Sequence, residues 1–249
     1  MNKKIKIVRD FIVYILSSVY YLFFKFRFIS LFKDVFYFFK WIKYRNYNYS
    51  LLFKRIPWLN FESISFLEGY LKKEMKVFEF GSGGSTLFFS DRVNELVSIE
   101  HDQNWYDLTN KSIVDLKLTH VDYNHISPFF CENLNGLNCQ DPLNYISCNS
   151  EYKNYNFSQY VKAIDRFPDR YFDLVFIDGR ARPSCILHSI KKVKKNGILF
   201  IDNTDRTYYL KGFPQLMDTK VWRKLNFVGH FPNGSASVLS YSTAYVKLN

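Results

Sequence analysis

Three carboxylates and one glycine-rich turn carry most of the chemistry that this 249-residue chain could perform. Glu100, Asp178 and Asp202 each end an apolar run: Leu96-Val97-Ser98-Ile99, Leu174-Val175-Phe176-Ile177 and Ile198-Leu199-Phe200-Ile201. Such runs read as buried parallel strands, whose carboxyl ends open on a ligand crevice. A carboxylate placed there can grip ribose hydroxyls, take up a proton or hold a hard cation. A fourth run, Val77-Phe78-Glu79-Phe80, ends in Gly81-Ser82-Gly83-Gly84-Ser85-Thr86 and resumes as a helix. Gly81 and Gly83 leave out side chains where backbone must come close to a bound nucleoside. Glu100 lies 21 residues beyond Glu79, the interval at which a ribose-binding acid follows a glycine turn.

The turn departs from the dinucleotide fingerprint, because G-x-G-x-x-G needs glycine at position 86 and this chain has Thr86. Glu79, Gly81, Gly83 and the acidic strand end at Glu100 instead resemble the class I S-adenosylmethionine-dependent methyltransferases, whose first motif reads E/D-x-G-x-G. The resemblance is closer to a subgroup that combines G-S-G-x-S-T, E-H-D and I-D-G-R-x-R, found here at 81–86, 100–102 and 177–182. It spans roughly residues 57–248. It implies an α/β domain with a doubly wound, mostly parallel, Rossmann-like sheet of seven strands and helices on both faces. It also implies that S-adenosylmethionine lies along Glu79, Gly81, Ser82, Gly83, Ser85 and Thr86, with Glu100, His101 and Asp178 at its edge.

Methyl transfer from a sulfonium is an in-line displacement, so the protein positions the acceptor oxygen, removes its proton and excludes water. Asp178, Asp202, Asn203 and Arg180 are the catalytic candidates. The set Asp178, Asp202 and Asn203 is similar to the metal ligands of catechol and caffeoyl-coenzyme A O-methyltransferases, which implies a Mg²⁺ ion that orients and acidifies the acceptor hydroxyl. Two features depart from that group: the 24-residue interval from Asp178 to Asp202 is short, and Arg180 and Arg182 intervene. The other reading has Asp178 bonded to backbone amides near the cofactor and Asp202-Asn203 capping a turn. Arg180, Arg182 and Arg206 fall on one predicted face, where they either pair with an anionic acceptor or bridge to Asp102 and Asp205. Trp105, Tyr106, Tyr208 and Tyr209 either wall a ligand or pack in the core.

These residues need a frame of alternating strands and helices. Residues 61–73 carry Ile64, Leu67 and Leu71 at helical spacing ahead of a first strand at 76–80. Further helices are expected at 86–91, 103–112, 157–167 and 183–195, and strands at 95–100, 116–123, 172–178, 198–202, 226–231 and 243–248, the last two antiparallel as the resemblance implies. Segment 126–156, rich in Asn, Cys, Ser and Pro, reads as an insertion of the kind that often covers a site. Alternation of this kind gives right-handed crossovers and a doubly wound sheet.

The net charge of +11 is concentrated, since residues 1–50 hold ten Lys or Arg against Asp10 and Asp34. The domain at 51–249 is nearly balanced, so no nucleic-acid partner is expected. Within 1–50, apolar stretches at 11–24 and 28–42 read as a basic, aromatic-rich helical extension, the first too short for a bilayer core. Aromatics beside Lys and Arg suit the headgroups of an anionic membrane on the cytoplasmic face, and the competing reading is a helical hairpin packed on the domain, with 44–50 as a linker. Cys131, Cys139, Cys148 and Cys185 form no C-x-x-C pair, so neither a zinc site nor a disulfide framework is expected and a reduced compartment fits. The resulting expectation is O-methylation of a glycan, lipid-linked sugar or small-molecule hydroxyl. A membrane-attached non-catalytic scaffold and another nucleotide- or sugar-nucleotide-using enzyme are the competing readings.

Overall fold

The structure, a computed structural model, describes residues 3–25, 30–44, 51–134 and 136–249. Two helices, α1 (Lys3–Lys25) and α2 (Ser30–Tyr44), precede α3 (Phe61–Tyr70). The Asn60 side chain caps α3 by accepting the Ser63 N–H at 2.8 Å. The helix ends short of the expected residue 73 because Leu71 turns extended. Then follow β1 (Lys76–Phe80), α4 (Gly84–Ser90), β2 (Glu95–Glu100), α5 (Gln103–Asp115) and β3 (Val121–His125). The insertion carries a two-residue strand pair, β4 (Phe129–Phe130) and β5 (Tyr155–Asn156), and two short 3-10 turns, Glu132–Leu134 and Ser150–Tyr152. The chain closes with α6 (Ser158–Lys162), β6 (Phe172–Ile177), α7 (Arg182–Ser189), β7 (Val193–Asp202), β8 (Trp222–Gly229) and β9 (Ser240–Lys247).

Seven strands form one sheet in the order β3-β2-β1-β6-β7-β9-β8, in which only β9 runs against the rest. The strand order reverses between β1 and β6, which opens a crevice at their carboxyl ends. The apolar runs are continuous because both faces are covered. Phe78, Phe80, Val175, Ile177, Leu199 and Ile201 point into one core, and Val77, Leu174, Phe176, Ile198 and Phe200 into the other.

Three expected elements are corrected. The strand expected at 116–123 begins later, because α5 runs to Asp115 and Lys117 takes a left-handed turn at φ 53°. The helix expected at 183–195, with Asn196-Gly197 as its stop, is shorter: α7 ends at Ser189, and β7 starts at Val193, which is buried opposite Phe172. Asn196 sits inside β7 at φ 62°, where the register with β6 slips. The last two strands pair antiparallel to each other as expected, but only β9 runs against the parallel set, because β8 points the same way as β7.

The cysteine reading is corrected as well. Cys139 and Cys148 are disulfide-bonded, with Cα atoms 5.3 Å apart, whereas Cys131 and Cys185 are free. A turn in which Asn144 Nδ2 donates to the Asn138 carbonyl at 2.9 Å folds the loop back on itself, a closure that spacing alone does not reveal.

The helices α1 and α2 pack on the domain. Tyr14, Tyr37, Phe38 and Trp41 are buried in the core that holds α3 and one face of the sheet. The Tyr14 ring stacks on His230 at 3.4 Å, and Trp41 Nε1 donates to the Gly234 carbonyl at 3.0 Å. Their outer face exposes Ile5, Val8, Ile12, Leu16, Phe36 and Phe39. Among the described residues no helix is long and apolar enough to cross a membrane. Of the expected linker, residues 45–50 lie outside the described residues. Because Trp41 fills a core position and satisfies a backbone carbonyl, Trp41→Ala is expected to cost about 3–5 kcal/mol. Urea unfolding of the full chain measures this, and a loss below about 1 kcal/mol would show that α2 is not part of the folded unit.

Candidate cofactor and acceptor site

The crevice at the ends of β1, β2 and β6 is a cleft of about 700 Å³. Of the residues expected along a cofactor, Gly81, Ser82, Gly83, Ser85, Glu100, His101 and Asp178 border it, and so does Arg180. Glu79 and Thr86 do not: both are fully buried behind the turn. Gly83 N–H donates to Thr86 Oγ1 at 3.0 Å, and the Thr86 and Ser98 hydroxyls both donate to Glu79 Oε2 at 2.6 Å. Glu79 is thus a positioning residue that holds the glycine turn from inside. Burial pushes its carboxyl up to about 7, against the pull of these hydroxyls and with the Asp178 charge adding to the push.

Glu100 ties the turn to the end of β2. Its Oε2 accepts from Ser82 N–H at 2.8 Å and Ser82 Oγ at 2.9 Å, and its Oε1 accepts from the His101 and Asp102 N–H groups at 2.8 and 3.0 Å. Burial raises the Glu100 pKa, but His101 and these amides outweigh it and hold the carboxyl below its ordinary value. His101 Nδ1 lies 2.7 Å from Glu100 Oε1 but off the line that a hydrogen bond needs. Its Nε2 lies 3.0 Å from the Tyr152 hydroxyl, which brings the insertion over the cleft.

Three N–H groups of the turn are consumed within the protein: Gly81 by the Ile99 carbonyl, Ser82 by Glu100 and Gly83 by Thr86. A pyrophosphate would need such donors free. The charged border of the cleft is instead acidic, with Glu100, Asp102, Glu151 and Asp178 against Arg180. This chemistry suits a cationic, nucleoside-bearing group such as S-adenosylmethionine better than a dinucleotide. Trp105, at the start of α5, donates from Nε1 to the Ser82 carbonyl at 2.6 Å and roofs the turn.

Asp202 and Asn203 do not reach this cleft. They border an adjoining hollow of about 280 Å³ that Asp178 shares. Arg182 joins the two strand ends: it donates to the Asp202 carbonyl, to the Asp178 carbonyl at 2.8 Å and to Asp178 Oδ1 at 2.7 Å. Asp202 is buried and accepts the Ser242 hydroxyl at 2.6 Å. Burial, then the neighbouring Asp178 charge, pushes Asp202 up to about 8, and burial raises Asp178 against the opposing pull of Arg182.

The metal expectation for Asp178, Asp202 and Asn203 is not supported by this donor set. Asp178 already holds a guanidinium, which would repel a divalent cation, and no group of three or more His, Cys, Asp or Glu that could hold a metal occurs among the described residues. The alternative for Asp178 is corrected too, since its carboxylate takes Arg182 rather than backbone amides. Four contributors had no signal in the sequence. Ile56 and Trp58 border the cleft from irregular chain, and Glu151 and Tyr152 from a single 3-10 turn, segments whose path only the folded chain defines.

No protein-family model and no curated protein matches this chain. Its fold does match solved structures. The O-methyltransferase TomG from Streptomyces achromogenes, involved in tomaymycin synthesis and solved with SAM, is 13% identical, with 74% of this chain and 77% of that chain covered and a TM-score of 0.52. An O-methyltransferase from Bacillus cereus in complex with SAH is 13% identical over 92% of this chain and 96% of that chain, with a TM-score of 0.51. A candidate rRNA methylase from Clostridium thermocellum is 12% identical over 76% and 96%, with a TM-score of 0.50. The chain therefore has the Rossmann-like fold of class I S-adenosylmethionine-dependent methyltransferases.

A folded pKa near 7 for Glu79 against an ordinary 4.5 means that the native state binds more protons than the unfolded chain between those values. Stability contributed by the protonated group is full below pH 4.5 and is lost as pH rises to about 7. Glu79→Gln is expected to flatten the decline in stability between those limits relative to the wild type, read by urea unfolding at stepped pH. Parallel curves for the two proteins would show that Glu79 is ionised throughout.

Proposed function

We propose that this chain is an S-adenosylmethionine-dependent methyltransferase acting on an acceptor hydroxyl. The observation that carries the reading is the continuity of the acidic cleft, through Asp178, with the hollow bordered by the buried Asp202. The sulfonium, when bound, supplies the methyl group. Ser82, Gly83, His101 and Tyr152 border the space that would hold the nucleoside, and Asp178 the space beside the transferred methyl. Asp178 borders both spaces and would accept the acceptor's hydroxyl proton as the new O–C bond forms and the S–C bond breaks. Arg182 fixes the Asp178 carboxylate for this task and balances its charge.

The acceptor classes in view are a glycan, a lipid-linked sugar or a small-molecule hydroxyl, by analogy with the motif subgroup. An apolar and basic surface on α1 and α2 favours the lipid-linked case. The outer face of α1 and α2 places Ile5, Val8, Ile12, Leu16, Phe36 and Phe39 beside the exposed Lys6, Lys33 and Lys43, an apolar and basic surface that suits the plane of an anionic bilayer. The near-balanced charge of residues 51–249 disfavours a nucleic-acid acceptor.

Calorimetry on the full chain is expected to give micromolar S-adenosylhomocysteine binding that NAD and UDP-glucose do not displace. Tyr152→Ala should weaken it about tenfold by removing a ring that holds His101. Absence of binding by a demonstrably folded chain overturns the reading. With labelled S-adenosylmethionine and a cell-envelope fraction, Asp178→Asn should retain cofactor binding and lose transfer by about 10²-fold or more. Binding without transfer in the wild type would favour the non-catalytic scaffold. Vesicles of phosphatidylcholine and phosphatidylglycerol should co-sediment the full chain, and the double variant Phe36→Ser/Phe39→Ser should lose most of that binding. Equal sedimentation of both proteins would remove the membrane assignment.

A further inference from the structure

A second hollow, of about 410 Å³, adjoins the cofactor cleft and shares Gly179 and Arg180 with it. Its charged lining consists of Arg180, Arg182 and Arg206, and no carboxylate side chain borders it among the described residues. Arg182 is spent on Gly179, Asp178 and Asp202. The other two are not neutralised in this way. Arg180 lies over the Tyr152 ring at 5.3 Å, and Arg206 donates to the Tyr209 hydroxyl at 3.0 Å; neither has a carboxylate within ion-pair distance among the described residues. The hollow is also lined by Ser147, Asn149 and Ser150 from the insertion and by Tyr208 from the segment that carries Arg206, all capable of donating to an anion.

The two neighbouring spaces thus carry opposite charge. The cofactor cleft is bordered by four carboxylates and repels an anion, whereas the second hollow offers two guanidiniums that make no ion pair among the described residues, together with neutral donors. The geometry points to this hollow as the seat of a phosphate ester carried by the methyl acceptor. Two guanidiniums match a dianion, and three phosphoryl oxygens match donors arriving from both walls. With the ester there, the rest of the acceptor extends past Gly179 and Arg180 toward Asp178. The inference rests on the methyltransferase reading for the word acceptor, and on the hollow itself for the phosphate.

Calorimetric titration of the full chain with inorganic phosphate, at constant ionic strength in chloride, is expected to show saturable binding. Arg206→Gln should weaken it about tenfold or more, as expected for loss of a charge-assisted contact. S-adenosylhomocysteine binding should be unchanged in that variant, because Arg206 does not border the cofactor cleft. Arg206 is exposed, and an unchanged melting temperature checks that the variant folds. Glucose 1-phosphate competing with phosphate identifies a soluble source of the ester, and competition only by vesicles containing phosphatidic acid identifies a lipid-linked one. Phosphate binding that is absent, or equal in Arg206→Gln, overturns the proposal while leaving S-adenosylhomocysteine binding to judge the methyltransferase reading separately. Arg206-dependent phosphate binding without any S-adenosylhomocysteine binding overturns the acceptor assignment and that reading together.

Discussion

The site depends on how closely two strand-end turns approach each other. Gly81 follows β1 at φ +89°, and a Cβ built on it would lie 2.7 Å from the Gly179 backbone beyond β6. A Cβ on Gly179 would meet the Tyr160 hydroxyl at 2.0 Å. No side chain fits between these turns, so β1 and β6 can bring their carboxyl ends together only with glycine at both places. That contact makes the nucleoside cleft and the Asp178 region one continuous space. It also explains why substituting Gly81 is a test of folding and not of binding.

Around this contact the protein buries charge in compensated sets. Arg182 ties the carbonyl ends of two strands together and pairs with the Asp178 carboxylate, while burial raises the neighbouring Asp202 carboxyl. Glu79 is buried with two hydroxyls directed at it. Each arrangement reduces the cost of an ion removed from water, and each fixes a backbone turn that borders the cleft. The polar interior is therefore what gives the site its shape, while the alternating apolar strands supply stability on either side.

Much of this could be read in the sequence where local pattern and tertiary role coincide. The bounds of β1 and β2 are as expected, because an apolar run ending in glycine or acid is both a strand and a site edge. Reading failed where long-range contacts override the local pattern. The Asn196-Gly197 pair looks like a helix stop, yet it lies in a strand because Val193 is needed opposite Phe172. Glu79 and Thr86 belong to the expected motif, but motif membership does not say which side of the turn a side chain faces. The division of charge between the two hollows comes from loops whose meeting no periodicity encodes.

The disulfide has a consequence for how the second hollow can change over evolutionary time. Cys148 and its neighbours Ser147, Asn149 and Ser150 form a wall of that hollow, and the bond to Cys139 closes a short ring behind them. Covalent closure lowers the entropy that the wall must lose to become ordered, whatever residues occupy the ring. The interior of the ring can then drift in sequence with little effect on the wall. Recognition can instead be retuned at the wall residues Ser147, Asn149 and Ser150 one at a time, without disturbing the turns that border the cofactor cleft.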